Sequence, residues 1–256
     1  MKTQATSWPP RRLRTANLAV GLVHLAQAAA VVALGNGFSV PVTAAFQEGP
    51  PGSTLAARET IFDAPFAWLI ALFLALAAID HLLMAAPRVN EWYEANLGRG
   101  RNNARWMEYS ASASVMIGLI ALLTGITDVF ALVAILGVNA AMILFGALME
   151  RFNPDRTDVD WTPFVFGCIA GAVPWIAVTI AIAGSELGSG DVPGFVYGIF
   201  ISLFIFFNCF AINQVLQYRM VGPWRDYRFG EAVYIGLSLL AKSALAWQVF
   251  AGALAS

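Results

Sequence analysis

The sequence predicts an all-α membrane protein, a bundle of seven transmembrane helices. Of its 256 residues, 59% are hydrophobic and only 12% are charged, whereas soluble domains are about 45–50% apolar. Seven apolar stretches each reach the roughly 20 residues needed to cross a hydrocarbon core. Basic residues fall almost entirely on one side of those stretches. A net charge of -1 gives no basic field that would attract nucleic acid.

The predicted spans take up nearly the whole chain and define a single domain over residues 1–256. They cover about residues 15–35, 64–86, 104–126, 128–149, 162–184, 193–217 and 230–253. Pairs of residues typical of helix starts open three of them: Asp63 with Pro65, Thr127 with Asp128, and Thr162 with Pro163. Cys168 and Cys209 lie within apolar runs, where they indicate packing residues and neither a disulfide nor a metal site.

The distribution of lysine and arginine predicts a cytoplasmic N-terminus and an extracellular C-terminus in the plasma membrane. One side of the bundle carries thirteen basic residues and the other carries only Arg58. The thirteen are Lys2, Arg11, Arg12, Arg14, Arg88, Arg99, Arg101, Arg105, Arg151, Arg156, Arg219, Arg225 and Arg228. The outer connection 36–62 is too long for a simple turn. Its alternating residues 38–46, followed by glycines and prolines, predict a small β-hairpin.

Lys242 is the one basic residue that the topology does not explain. It lies about twelve residues from either end of the last span, or about 18 Å along the helix. An unpaired charge at that depth costs about 2.5–3.5 kcal/mol. A buried neutral amine has an available lone pair and forms a Schiff base with an aldehyde. In a seven-helix bundle this predicts covalently bound retinal; a lysine that only joins helices through an ion pair is the alternative.

Glu108 is the predicted counterion of a protonated Schiff base. The third span begins RWMEYSASAS, which places Arg105, Glu108 and Ser112 on one helix face. A cationic nitrogen and a carboxylate each favour the other's charged form. Pairing of Glu108 with Arg105 is the alternative. Ser238 precedes Lys242 by one turn, so its hydroxyl can bond toward Lys242 or Glu108, or back to its own helix.

The two histidines predict a polar cluster beside this site. His24 and His81 both fall within predicted spans, and with Gln27 they can hold water and accept a proton near neutral pH. Histidines with purely structural hydrogen bonds are the alternative. Aromatic residues of the sixth span, among them Phe207, are candidates to line a pocket, although such residues are also common in membrane cores.

The stretches around Glu108 and Lys242 resemble those of the heliorhodopsins. They read RWMEYS at 105–110 and SLLAKSALAW at 238–247. The resemblance extends over the whole seven-span layout with its inward N-terminus. It implies all-trans retinal on Lys242, Glu108 as the counterion, a hydrogen-bonding Ser238, a polar cluster with His24 and His81, and a homodimer. The further candidate pocket residues are Ser112, Met116, Asn139, Met142, Trp175, Phe207 and Gln214.

The third span also bears on ion transport. In proton-pumping microbial rhodopsins, the counterion is followed four residues later by a hydroxyl and eleven later by a proton-donor carboxylate; here those positions hold Ser112 and Leu119. We therefore expect a photoreceptor, not an enzyme, in which light isomerises retinal, the Schiff-base proton moves to the polar cluster and a cytoplasmic partner reads the change. A light-driven ion pump or channel is the first alternative. A retinal-free transporter or membrane enzyme using Lys242 is the second.

Overall fold

The computed structural model describes residues 8–188 and 190–255. Lys2, which was counted among the inner basic residues, lies outside this range. Within it, the chain forms eight α-helices and one two-stranded sheet. Seven of those helices are long and apolar enough to cross a membrane, as the apolar stretches predicted.

The helices follow one another with short connections, except between the first two. The bounds are α1 (Pro10–Leu34), α2 (Phe66–Ala85), α3 (Pro87–Leu97), α4 (Asn103–Leu123), α5 (Val129–Phe152), α6 (Thr162–Leu187), α7 (Gly194–Tyr218) and α8 (Tyr227–Val249). The strands are β1 (Ser39–Ala44) and β2 (Glu59–Pro65), which pair antiparallel between α1 and α2. A π-helical turn, Phe250–Leu254, continues α8.

Several helix boundaries differ from those expected. Asp63 and Pro65 belong to β2, so α2 begins at Phe66 and not at 64. The expected start of the next outer-side helix is seen at Asp128, whose side chain accepts a hydrogen bond from Ala131 N at 3.0 Å. Proline presets the backbone angle of a first helical turn, and α1 accordingly begins at Pro10, ahead of its apolar run.

One helix, the short α3, was not predicted from the sequence. Pro87 lies in its first turn. Tyr93 and Leu97, one turn apart, are both buried, whereas Trp92 is 48% exposed. This apolar spacing covers only three turns, which is too short for a span, so the sequence predicts only a connection between two spans over residues 87–97.

The two ends of the bundle differ in chemistry. At the hairpin end, Thr43 N of β1 donates to Thr127 O between α4 and α5 at 2.8 Å. The opposite end, which we call the basic end, brings together the start of α1, the end of α2 and the starts of α4 and α8. There Arg14 Nε donates to Ala85 O at 2.8 Å, and Asn102 Nδ2 donates to Glu231 Oε2 at 2.7 Å.

Small residues and aromatic rings hold the bundle together. Lipid tails are as apolar as leucine, so helix association inside a membrane relies on close packing. Gly171 of α6 lies so close to α5 that an added Cβ would meet Met142 Sδ at 2.5 Å. Farther along α6, the Trp175 ring lies 5.2 Å from Phe204 and 5.4 Å from Phe207 of α7. These contacts fix the three helices that stand opposite Lys242.

Candidate functional site

Lys242 lies inside the bundle and faces Glu108 from α4. The lysine is 3% exposed. Its Nζ atom lies 3.4 Å from each carboxylate oxygen of Glu108 and donates to Ser238 Oγ at 3.2 Å. The ring centroid of Tyr109 lies 4.7 Å from the same nitrogen. The amine therefore has a carboxylate, a hydroxyl and an aromatic face around it, in a place that water reaches poorly.

A directed hydrogen-bond chain runs from this nitrogen toward α1. Ser238 Oγ lies 3.3 Å from His81 Nε2, and His81 Nδ1 lies 2.7 Å from Asn17 Oδ1. Asn17 Nδ2 already donates to Leu13 O at 3.1 Å, so its Oδ1 must accept from Nδ1–H of the histidine. In a neutral ring the other nitrogen, Nε2, is then an acceptor. This assigned tautomer orients the chain from Lys242 through Ser238 to His81.

The other predicted members of the polar cluster lie close by. The rings of His24 and His81 stack with centroids 5.9 Å apart. Gln27 exchanges two hydrogen bonds with Ser243, which follows Lys242, at 2.9 and 3.0 Å. The structure thus brings His24, His81 and Gln27 to the side of Lys242 that faces α1 and α2.

An apolar cavity opens on the opposite side of Lys242. Together with the space at its open mouth, it spans about 860 Å³. Its walls are contributed by α4 to α8 and are mostly apolar or aromatic. They include Trp106, Tyr109, Met116, Met142, Gly146, Phe164, Phe207, Phe210, Gln214 and Tyr234, with Lys242 itself.

The predicted pocket residues divide into two groups. Met116, Met142, Phe207 and Gln214 line the cavity. Ser112, Asn139 and Trp175 are buried but do not line it. Asn139 Nδ2 donates to Ser114 Oγ at 3.2 Å instead, and Trp175 packs against the phenylalanines of α7.

Two tyrosines of the site were not among the residues predicted from the sequence. Tyr109 and Tyr234 both line the cavity, and the Tyr109 hydroxyl donates to the carbonyl oxygen of Tyr234 at 3.0 Å. Signals for both were present in the sequence. Tyr109 directly follows Glu108, and Tyr234 precedes Lys242 by about two helical turns, which places it on nearly the same face of α8.

Gly146 shapes the wall of the cavity. An added Cβ would lie 2.3 Å from the Trp106 indole, so we expect Gly146→Ala to displace that ring and to lower the free energy of unfolding by about 1–3 kcal/mol. Gly137, in the same helix, has no atom within 4 Å of the corresponding Cβ position. The midpoint of thermal unfolding should therefore be lower than that of the wild type in Gly146→Ala and unchanged in Gly137→Ala. Equal midpoints for the two variants would contradict this close contact.

A second charged group, which was not predicted from the sequence, lies between the site and the basic end. Arg105 does not pair with Glu108. Its two terminal nitrogens contact Glu150 of α5 and Glu231 of α8, and its guanidinium lies 3.9 Å from the ring centroid of Tyr234. Glu108 therefore forms its ion pair with Lys242. Although Arg105 was counted among the basic residues of the inner side, it is only 2% exposed.

A seven-helix bundle that buries a lysine opposite a carboxylate, at one wall of an apolar cavity, has the architecture of a rhodopsin. Among solved structures, the chain is similar to a light-driven proton pump from Leptosphaeria maculans, with a TM-score of 0.64 and 18% identity over 94% of this chain and 95% of that chain. A comparison with curated protein sequences gives no match. Residues 13–254 match the heliorhodopsin family, and the chain belongs to that family. It is therefore a membrane-embedded rhodopsin, a class whose chromophore is retinal.

Proposed function

We propose that this chain is a photoreceptor that carries all-trans retinal on Lys242 as a protonated Schiff base, with Glu108 as the counterion. The observation that carries the proposal is the position of Lys242 Nζ, 3.4 Å from Glu108 and at the wall of the apolar cavity. The residues fit the group, because a long apolar chain requires apolar and aromatic walls and its attachment point requires a buried amine. When bound, retinal absorbs visible light and isomerises.

The chain's own residues then supply a route for the proton of the Lys242 nitrogen. Ser238 Oγ accepts from Nζ at 3.2 Å and can pass a proton to His81 Nε2, 3.3 Å farther on. The stacked His24 lies beside His81 and can share the added charge. This arrangement supports a proton held inside the bundle, on the cluster of His24, His81 and Gln27, during the signalling state.

The other half of the bundle supports signalling without net pumping. Position 119 holds a leucine that is 1% exposed, where proton pumps of this architecture carry an acid. On the hairpin side of Lys242, the described parts of the spans carry no acidic residue except Glu186, which lies in the last turn of α6. A proton released toward that side therefore has no relay. A light-driven pump or channel remains the alternative function, and a retinal-free transporter or membrane enzyme using Lys242 is a further one.

The counterion assignment predicts a large change in colour for Glu108→Gln. Glu108 is the carboxylate paired with Lys242, so removing its charge should either release the proton and shift the band strongly to the blue, or shift it to the red. The measurement is the visible spectrum of the full chain supplied with all-trans retinal. Glu94→Gln, in a pair with Arg228 at the basic end, is the matched control and should keep the wild-type band. An unchanged band in Glu108→Gln would remove Glu108 from this role.

Transport is tested in intact cells. We expect illumination to evoke no persistent current or pH change, because the proton stays on the internal cluster. A persistent, uncoupler-sensitive pH change would instead establish a light-driven proton pump, and a steady current would establish another ion transporter or a channel. A colourless protein in the presence of retinal would favour the retinal-free transporter or enzyme.

We further propose that the basic end faces the cytoplasm, since arginines gather there, and that the protein forms a homodimer in the plasma membrane. An unidentified cytoplasmic partner would read the signal at this end. The support is the thirteen-to-one division of basic residues and the family membership. A protease-cleavable tag at the C-terminus should then be cut from outside intact cells.

A further inference from the structure

The buried group around Arg105 carries an unequal number of charges. One guanidinium faces two carboxylates, Glu150 and Glu231. The side chains of Arg105, Glu150 and Glu231 are only 3%, 2% and 1% exposed. If all three were ionised, the site would hold a net negative charge in a region removed from water. Buried groups in that position generally neutralise by binding a proton.

Neutral donors around the carboxylates do not remove that excess charge. The backbone N–H of Asn102 donates to Glu150 Oε2 at 2.8 Å, and its side-chain amide donates to Glu231 Oε2 at 2.7 Å. The Tyr227 hydroxyl bonds to Glu150 Oε1 at 2.7 Å. Of these partners, only the hydroxyl can reverse its role and accept a hydrogen bond from a protonated carboxyl. A proton is therefore best accommodated on Glu150.

We propose that Arg105, Glu150 and Glu231 form a second proton-binding site, which holds one proton on the Glu150–Glu231 pair in the resting protein. It is separate from the Lys242 site and goes beyond the proposed photoreceptor function. Its role would be to keep the packed ends of α4, α5 and α8 electrically neutral and to provide an internal proton store at the basic end.

A small cavity adjoins this site inside the bundle and reaches His81 of the polar cluster. The walls of this cavity include Asn17, Asp80, His81, Tyr93, Asn102, Arg105, Tyr109, Glu231 and Tyr234. One buried atom of the residues that line this cavity, Arg105 Nε, has no hydrogen-bond partner among the described residues. Unpaired buried polar atoms beside a polar cavity are typical of a site for ordered water. Water there would connect Glu231 to Asp80 and His81.

Other titratable or charged groups face the site from the neighbouring elements, and among the described residues Arg105 is the one cation in an ion pair with either carboxylate. They are Asp80 and His81 of α2, Tyr93 of α3, Tyr109 of α4, Tyr218 of α7, Tyr227 and Tyr234 of α8, and Arg156 from the connection after α5. Burial raises the pKa of Tyr93 far above its ordinary value, so this phenol is neutral at physiological pH. The Arg156 guanidinium lies 5.7 Å from the Tyr227 ring centroid and donates its hydrogen bonds to the carbonyl oxygens of Gln217 and Arg225.

Infrared spectroscopy tests the proposal directly. A protonated carboxyl gives a C=O stretching band that an ionised carboxylate lacks and that shifts in D₂O. For the full chain in lipid nanodiscs at neutral pH, with and without retinal, we expect one such band to disappear in both Glu150→Gln and Glu231→Gln. In either variant one carboxylate remains for one guanidinium, so no proton needs to be held. Glu94→Gln, which removes one member of a one-to-one pair with Arg228, should retain the band.

Two further measurements keep the test decisive if a glutamine variant does not fold. Tyr227→Phe removes the hydroxyl partner of Glu150 and should shift the same band in frequency. The unfolding midpoint of the wild type should fall relative to Glu231→Gln as pH rises from about 5 to 8, because the native state keeps a proton that the unfolded chain has released. Carboxyl-region spectra identical to wild type in Glu150→Gln, Glu231→Gln and Tyr227→Phe would overturn the proposal. Because the bands are read without retinal as well, this failure is distinct from failure of chromophore binding.

Discussion

Replacement of Lys242 by alanine is expected to abolish the visible absorption of the protein supplied with retinal. The amine is the covalent attachment point in the proposed function, and Lys242 is one of only two lysines in the sequence, the other being Lys2. The apolar cavity remains in Lys242→Ala, so retinal could still enter it. Free retinal lacks the protonated linkage and absorbs at shorter wavelength. The expected result is loss of the entire band, not a shift of a few nanometres.

Two control variants distinguish the covalent attachment of retinal at Lys242 from the positive charge of that residue. Lys242→Arg keeps a cation opposite Glu108, but a guanidinium does not form the linkage, so this variant should also be colourless. Lys2→Arg removes the other lysine and should keep full colour. Size-exclusion profiles of all three should match the wild type. A visible band that survives in Lys242→Ala would disprove covalent attachment at this residue.

The sequence predicted the parts of the molecule that depend on local patterns. Apolar length gave seven spans because each helix must satisfy its own backbone hydrogen bonds in lipid. The depth of Lys242 was readable from its distance to the span ends. Glu108 and Ser238 were predicted as site residues because each belongs to a short motif on a helix of known direction, and the structure places both within 3.4 Å of Lys242 Nζ. None of these inferences required knowledge of which helices touch.

The missed features depend on contacts between distant parts of the chain. Arg105 meets Glu150 and Glu231, which are 45 and 126 residues away. Both acids lie at the margins of predicted spans, where charged residues are ordinary, so neither drew attention. The prediction of pocket residues was limited in the same way. Asn139 is buried, but it bonds to Ser114 and does not line the cavity. Which side of a helix faces the cavity is decided by its neighbours.

Arg105→Met is expected to lower the free energy of unfolding by about 3–5 kcal/mol. Methionine fills similar space without charge, so the effect reports the ion pairs and not a cavity. The substitution leaves Glu150 and Glu231 buried without a cation. Arg228→Met is the matched control. Arg228 pairs with Glu94 at the basic end, where both side chains are partly exposed, so its loss should cost only about 0–1 kcal/mol.

A compensated variant distinguishes unpaired charge from lost contacts. If the damage in Arg105→Met comes from buried carboxylate charge that has lost its cation, the triple variant that adds Glu150→Gln and Glu231→Gln should recover much of the lost stability, because neutral groups tolerate burial better than ions. The single variant should also recover at acid pH, where protons can take the place of the guanidinium. Denaturant unfolding at two pH values measures both effects. Equal losses for Arg105→Met and Arg228→Met would mean that the buried position of Arg105 adds nothing, and that the second charged cluster is not a structural centre of the bundle.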